Sequence, residues 1–382
     1  MKSLLYNDKL QDLIKPFFLV FYLFVNSLFV LKYVPFNSFF SISTYVILLI
    51  GVLYLYLNIK VSQRVYKILF WVVAFMFFLF TILVNYYVDG TSLNVDRWSA
   101  MEVGVKAIMH NQYPYNIPDH MGQESSNLPI LVIIGMPFYL LFGSVGYLQS
   151  FTFLLMTYFV FKKITTYQYR LLALFLLILS PSYLWEIYTK SDLFSNFIII
   201  LSFALMVMNE EIGDKKVKWV SIWASLLLMT RISAIIPLLI LVLQPFFKLL
   251  SKQKIKFILI SCITVFIVLF FFFRNAADLE MIKNHNPILI QRLKQPFILS
   301  VLYIVIASLL SFYTKNLHEK LAAAAGLLFI MILVLFVMSL VQYGFINCIE
   351  NSYFDLSFFN MSMPFIIFVL AITYNSRKSI LR

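Results

Sequence analysis

The chain has 382 residues, of which 62% are hydrophobic and 12% charged, and its formal net charge is +13. Water-soluble globular proteins do not reach this apolar fraction, so the composition predicts a polytopic helical membrane protein. The positive charge does not indicate nucleic-acid binding, because lysine and arginine in short cytoplasmic loops orient membrane helices and explain the excess. With only 2 cysteines, the chain has no disulfide framework.

Twelve apolar segments are predicted to cross the membrane. They lie at 13–34, 43–59, 67–88, 146–163, 169–187, 193–208, 217–231, 232–248, 256–273, 296–313, 320–342 and 359–374. The segment 217–231 is short, and it is counted because Arg231 follows it and its charge must reach water. Placing both chain ends in the cytoplasm puts most basic residues inside and the polar stretch 88–128 outside.

The segment 128–144 is predicted not to cross. If it crossed, Lys162, Lys163 and Arg170 would lie outside, against the charge rule. We therefore expect a re-entrant or juxtamembrane helix, capped by Asn127 and with Pro129 in its first turn. The chain is then a single membrane domain, with N-terminal spans (1–88), an outer loop with juxtamembrane helices (89–145), central catalytic-module spans (146–248) and C-terminal spans (249–382).

The outer loop contains a predicted amphipathic helix at 96–110. Its large apolar residues recur at helical spacing and are expected to dip into the membrane surface: Trp98, Met101, Val105 and Ile108. The other face has mostly small side chains, where a substrate could come close: Ser99, Ala100, Val103, Gly104 and Ala107. Asp96 stands at the end of that row.

Two aspartates on the predicted outer side are the candidate catalytic residues. Asp96 and Asp192 each stand at the start of a predicted helix, so a helix cap is the alternative for both. Two carboxylates on one side of a membrane could share a divalent cation, or divide the roles of base and orienting group. The histidines show no metal-ligand spacing, and no residue is assigned as a metal ligand.

Arg231 is the candidate phosphate-binding residue. An arginine at that depth needs a partner, which is either a carboxylate such as Glu186 or the phosphate of a lipid. Basic residues in the outer loop also suggest an anionic partner, with a solvated surface as the alternative: Arg274, Lys283, Arg292 and Lys294. Tyr113 and Tyr115 belong to a rigid loop or form a surface on which a sugar stacks.

Several stretches resemble the GT-C superfamily of membrane glycosyltransferases. The pair Asp96–Arg97, opening a helix that ends in HNQYPYN, is similar to the family's acidic residue followed by G-x-x-P-Y. NLPILVIIGMPFYLLFGSVGYLQ resembles the family's juxtamembrane helix, and LSPSYLWEIYTKSDLFSNF resembles the entrance to its second outer loop. MTRISAIIPLL is similar to a further family segment, and together these stretches cover roughly 88–245. The chain differs in its two additional leading spans, its single acidic residue in the first motif and its single proline at Pro129.

The resemblance implies a transferase that takes a sugar from a polyprenyl-phosphate donor on the outer face of the membrane. Asp96 matches the family's catalytic aspartate, and Asp192 matches the acidic position of the second outer loop. The candidate substrate-binding residues are Arg97, Glu102, Tyr113, Tyr115, Lys190, Arg231 and Arg274. The expected partners are the donor, a glycan or glycolipid acceptor and membrane lipids, with no nucleic acid, in a bacterial cytoplasmic membrane.

Two other classes remain as alternatives. A polysaccharide polymerase or ligase of another fold would also use arginines in an outer loop. A lipid or solute transporter is less favoured, because no ionisable residue is predicted deep within a span, where coupling sites usually lie.

Overall fold

A computed structural model describes residues 8–35, 37–59, 61–207, 214–291 and 295–380, and within them the chain is helical, with no strand. The helices are α1 (Asp8–Tyr33), α2 (Ser38–Asn58), α3 (Gln63–Tyr87), α4 (Arg97–Met109), α5 (Pro129–Phe142), α6 (Tyr147–Lys163), α7 (Tyr167–Ile178), α8 (Pro181–Tyr188), α9 (Leu193–Val207), α10 (Asp214–Leu228), α11 (Ile235–Phe247), α12 (Ser251–Phe273), α13 (Leu279–Asn284), α14 (Pro287–Gln291), α15 (Phe297–Tyr313), α16 (Leu317–Tyr343), α17 (Phe345–Ile349) and α18 (Met363–Ile380). Short 3-10 turns occupy Gly90–Ser92, Ile232–Ala234 and Leu356–Met361.

The helices support a polytopic membrane protein but do not confirm twelve spans. Five described helices are long and apolar enough to cross a bilayer: α1, α2, α3, α12 and α16. The pairs α5–α6 and α7–α8 bring the number to 7 if each pair is one bent span. Four other apolar stretches are shorter: Leu193–Val207, Ile232–Phe247, Phe297–Tyr313 and Met363–Tyr374. The predicted cytoplasmic termini fall partly on 1–7 and 381–382, and Arg292 and Lys294 on 292–294, all outside the described residues.

The predicted span 169–187 is two helices rather than one. α7 and α8 meet at an angle of 61°, and Pro181 occupies the first turn of α8. The side chain of Asn26, buried in α1, accepts hydrogen bonds from the Ser180 hydroxyl at 2.7 Å and the Ser182 amide at 3.1 Å. A polar side chain inside one helix thus satisfies the backbone at the break between two others.

Helix α4 confirms the helix predicted at 96–110, but its surroundings differ from those predicted. Met101 and Val105 are buried inside the protein, and so is most of the small-residue face. A methyl group added at Gly104 would lie 3.1 Å from the Val132 side chain of α5, so the small residues allow the two helices to pack closely. At Gly104, α5 occupies the space where a substrate was predicted to come close, and Ser99, Ala100 and Ala107 are buried as well.

Helix α5 begins at Pro129, as predicted, but Asn127 does not cap it. Leu128 is the residue before the helix, and it provides no side-chain cap. Asn127 instead accepts a hydrogen bond from Arg231 at 3.3 Å. The helix ends at Gly143, whose φ of 74° lies in the left-handed region that glycine adopts most easily, and the chain then turns by 111° into α6.

Candidate functional site

One cavity of about 600 Å³ has a polar end and an apolar trough. The polar end contains Asp96, Arg97, Arg231 and Asp355, with Ser126, Gln291, Gln295 and Ser352 beside them. The trough is lined by Ile235 and Ile236 of α11, Tyr303 and Ile304 of α15, and Met331, Leu335 and Met338 of α16. Cavities that join a few charged groups to a long apolar wall suit amphiphilic ligands.

Asp96 lines this cavity, and its carboxylate is not used to cap α4. Its backbone carbonyl accepts the Ala100 amide at 2.8 Å, which places the residue at the helix start, but its side chain makes no capping hydrogen bond. Burial raises the pKa of Asp96, and the charges of Asp119 and Asp355 act in the same direction, against the opposing effect of Arg97. A carboxylate with these properties is a suitable proton acceptor.

Arg97 lies beside Asp96 and forms an ion pair with Asp355, a residue that the sequence did not indicate. Its guanidinium also lies over the Phe358 ring, 5.4 Å from the centroid. The pair uses Nη2 of Arg97, whereas Nη1 is buried with no hydrogen-bond partner among the described residues. Buried unpaired donors are costly, so the unsatisfied Nη1 calls for an explanation.

Asp355 and Asp96 face the same cavity with pKa values shifted in opposite directions. The effect of burial on Asp355 is outweighed by Arg97 and by hydrogen bonds from Ser357, which lower its pKa. Its Oδ1 accepts both the amide and the hydroxyl of Ser357, at 2.9 and 2.6 Å. The opposed shifts make Asp96 the better proton acceptor of the two carboxylates.

Arg231 also lines the cavity, and its partner is Asp192. Nε donates to Oδ2 at 3.0 Å, and Nη2 contacts Oδ1 at 2.7 Å and Oδ2 at 2.6 Å. Both residues are buried, Arg231 with 5% and Asp192 with 1% of its surface exposed. Glu186, the carboxylate that the sequence analysis named as one possible partner, instead accepts hydrogen bonds from the Phe194 amide and the Asn360 side chain.

This pairing changes the role predicted for Asp192. A carboxylate held by an arginine through both oxygens is poorly placed to act as a base or to share a metal ion with Asp96. This geometry favours a role for Asp192 in orienting Arg231, and its catalytic role stays a prediction. Within the described residues, no three His, Cys, Asp or Glu side chains gather in a way that could hold a metal ion.

Three predicted substrate-binding residues lie away from the cavity lining. Glu102 is buried, and its Oε1 accepts the Val145 amide at 3.2 Å at the turn between α5 and α6. Lys190 is half-buried; burial lowers its pKa, and the nearby Glu102 opposes this shift. Arg274 is exposed, with its guanidinium 5.0 Å from the Phe271 ring centroid.

Tyr113 and Tyr115 are buried and do not offer a stacking surface for a sugar. Only 3% and 0% of their surfaces are exposed. Their rings lie 5.5 Å apart and each is 5.8 Å from the ring of Phe273 in α12, while the Tyr113 hydroxyl donates to the His285 carbonyl at 3.0 Å. Of the two alternatives, a rigid loop fits these contacts.

The apolar helices and their length define an integral membrane protein of helical type. Comparison of the chain with models of protein families, with characterised proteins and with solved structures gave no match. The function must therefore be inferred from the cavity and its charged end.

Proposed function

We propose that the protein is a membrane glycosyltransferase that moves a sugar from a polyprenyl-phosphate donor to a glycan or glycolipid acceptor on the outer face of the membrane. The observation that carries the proposal is the combination, in one cavity, of Asp96 and two arginines with an apolar trough. A polyprenyl-phosphate sugar has matching parts in the same order: an isoprenoid chain, one anionic phosphodiester and a sugar.

The trough between α11, α15 and α16 would take the isoprenoid chain. Its wall is made mostly of isoleucine, leucine, methionine and tyrosine side chains, with Ser300, Ser339 and Gln342 among them. The donor phosphate would lie at the polar end, where Arg97 and Arg231 both line the cavity. Arginine donors bind phosphate oxygens well, and their effect is greater where water is excluded.

In this mechanism Asp96 removes the proton from the acceptor hydroxyl as its oxygen attacks the anomeric carbon. The bond between that carbon and the donor phosphate oxygen breaks with inversion, and the electron pair leaves with polyprenyl phosphate. Negative charge grows on the leaving phosphate, so guanidinium groups placed there stabilise the transition state more than the ground state. Asp355 and Asp192 keep the two guanidinium groups in place.

The test is a transfer assay with purified protein in lipid vesicles and a panel of radiolabelled polyprenyl-phosphate sugars. We expect at least one donor to release polyprenyl phosphate, with a rate that depends on added acceptor. Asp96→Asn is the inactive control. If only lipid diphosphate-linked glycans are consumed, the protein is a polymerase or ligase. If label crosses the vesicle membrane with no bond broken, it is a transporter.

A further inference from the structure

Glu186 is a buried carboxylate in α8 that joins two separate segments of the site. Its surface is 0% exposed. Oε1 accepts the backbone amide of Phe194 in the first turn of α9 at 2.5 Å, and Oε2 accepts the side-chain amide of Asn360 at 2.7 Å. An acid buried this completely is costly, which calls for a role that an apolar side chain could not perform.

The first contact frees Asp192 from capping α9. The Asp192 carbonyl accepts the Asn196 amide at 2.8 Å, so Asp192 stands at the position whose side chain normally caps the helix. Its carboxylate is directed instead to Arg231, with contacts of 2.6 to 3.0 Å. Glu186 accepts the Phe194 amide that Asp192 would otherwise accept, so Asp192 can hold the arginine.

The second contact fixes the segment that holds the other arginine. Asn360 belongs to the turn Leu356–Met361, and the residue before this turn is Asp355, the partner of Arg97. The Asn360 amide also donates to the Ser182 carbonyl at 3.3 Å, so this turn is attached to α8 by two hydrogen bonds.

We propose that Glu186 is a positioning residue that holds both arginine–aspartate pairs of the cavity, one through each carboxylate oxygen. It acts as a hydrogen-bond acceptor and transfers no proton. The inference rests on the proposed function for its activity test but not for its stability test.

An acceptor role can be separated from an acid role by comparing Glu186→Leu with Glu186→Gln. Leucine removes both contacts. Glutamine keeps an oxygen for Phe194, and its NH₂ can donate to Asn360 Oδ1 once that amide turns over, because this oxygen has no partner among the described residues. We expect Glu186→Leu to lower donor kcat/KM by on the order of ten- to a hundredfold, and Glu186→Gln to restore it with an unchanged pH profile.

Glu319 provides a matched control. It also accepts one backbone amide, that of Lys315 at 2.7 Å, and one asparagine side chain, that of Asn316 at 2.8 Å. It lies at the start of α16, about 18 Å along the helix from the cavity residue Met331 by the rise per residue. Glu319→Leu should therefore leave donor kcat/KM unchanged. If Glu186→Gln is as inactive as Glu186→Leu, Glu186 acts as an acid and the proposal is wrong.

Thermal unfolding tests the positioning without any assumption about the reaction. In Glu186→Leu the Asp192 carboxylate can accept the Phe194 amide, and its ion pair with Arg231 is then broken. Adding Arg231→Leu should then lower Tm by less than it does in the wild type, whereas Arg231→Leu combined with Glu319→Leu should be additive. If the losses of Tm in Glu186→Leu and Arg231→Leu are additive, the positioning role is wrong. This holds even if the wild-type protein uses every donor tested.

If Glu186→Leu does not fold, Asn360→Ala tests one contact alone. Its fall in Tm should be non-additive with that of Arg97→Leu and additive with that of Arg231→Leu, because Asn360→Ala removes only the link to Asp355. Coupling to neither would contradict the positioning role. A wild type that uses no donor but shows both couplings would refute the proposed reaction and keep this inference.

Discussion

The decisive variant is Asp96→Asn, because the structure separates its two possible roles. Asparagine keeps the size of the side chain but accepts no proton at neutral pH. The Asp96 side chain makes no capping hydrogen bond, so its replacement should change Tm little. Loss of a positioned base costs on the order of a hundredfold to ten-thousandfold in rate, which corresponds to roughly 2.7 to 5.5 kcal/mol in the activation barrier.

Asp89→Asn is the matched control in the same loop. Asp89 caps the turn Gly90–Ser92, where its Oδ1 accepts the Thr91 amide at 3.0 Å and the Thr91 hydroxyl at 2.8 Å, and it lies away from the cavity lining. We expect this variant to lose some stability and no transfer rate, the reverse of Asp96→Asn. Single-turnover release of polyprenyl phosphate and thermal unfolding would be measured on both proteins. A folded Asp96→Asn protein with more than about a tenth of the wild-type rate would refute the role of Asp96 as a base.

Three further predictions address the charged pair, pH and topology. Arg231→Ala leaves Asp192 buried and unpaired, so it should lower the free energy of unfolding by about 3–5 kcal/mol, measured by denaturant unfolding. Replacing both residues by leucine should recover this stability but not donor binding. Because the pKa of Asp96 is raised, kcat should begin to fall, as the pH is lowered, at pH values above the usual pKa of an aspartate. The residual kcat of Asp96→Asn should not show this fall. The raised pKa also means that the proton is bound more tightly in the folded state, so this group favours folding as pH falls and opposes it as pH rises. In a cysteine-free background, a cysteine at Asn284 should react with an impermeant thiol reagent in intact cells and one at Lys162 should not; labelling at Lys162 would mean that α5 and α6 do not have the predicted topology.

Hydrophobic patterning was sufficient to find the helices but not to count the membrane spans. Every run predicted to span is helical in the described residues, and α4 and α5 start within a residue of their predicted starts. Patterning did not show the break before Pro181, and the residue that satisfies its polar groups, Asn26, lies 154 residues from Ser180 along the chain. Serine and proline at 180–182 are a local signal for a break, but the apolar residues on both sides favour one continuous span.

The pairing of charges was the part of the site that the sequence could not supply. The need of Arg231 for an anionic partner follows from desolvation, but the sequence left open whether that partner is a carboxylate such as Glu186 or a lipid phosphate. Glu186 does not pair with Arg231, because its two carboxylate oxygens already accept hydrogen bonds from Phe194 and Asn360. Asp355 was missed because it lies 258 residues from Arg97; its only local signal is the spacing to Ser357, typical of a capped turn.

The small-residue face of α4 shows why one pattern can indicate two opposite structures. Glycine and alanine at 100, 104 and 107 permit close approach, and a sequence cannot say whether a substrate or another helix approaches. The structure places α5 there, with Val132 against Gly104. Only the start of α4 remains open to the cavity, so Arg97, its first residue, and Asp96, the residue before it, can take part in chemistry. The packing of α4 against α5 then has a function of its own: it fixes the backbone that carries the proposed base.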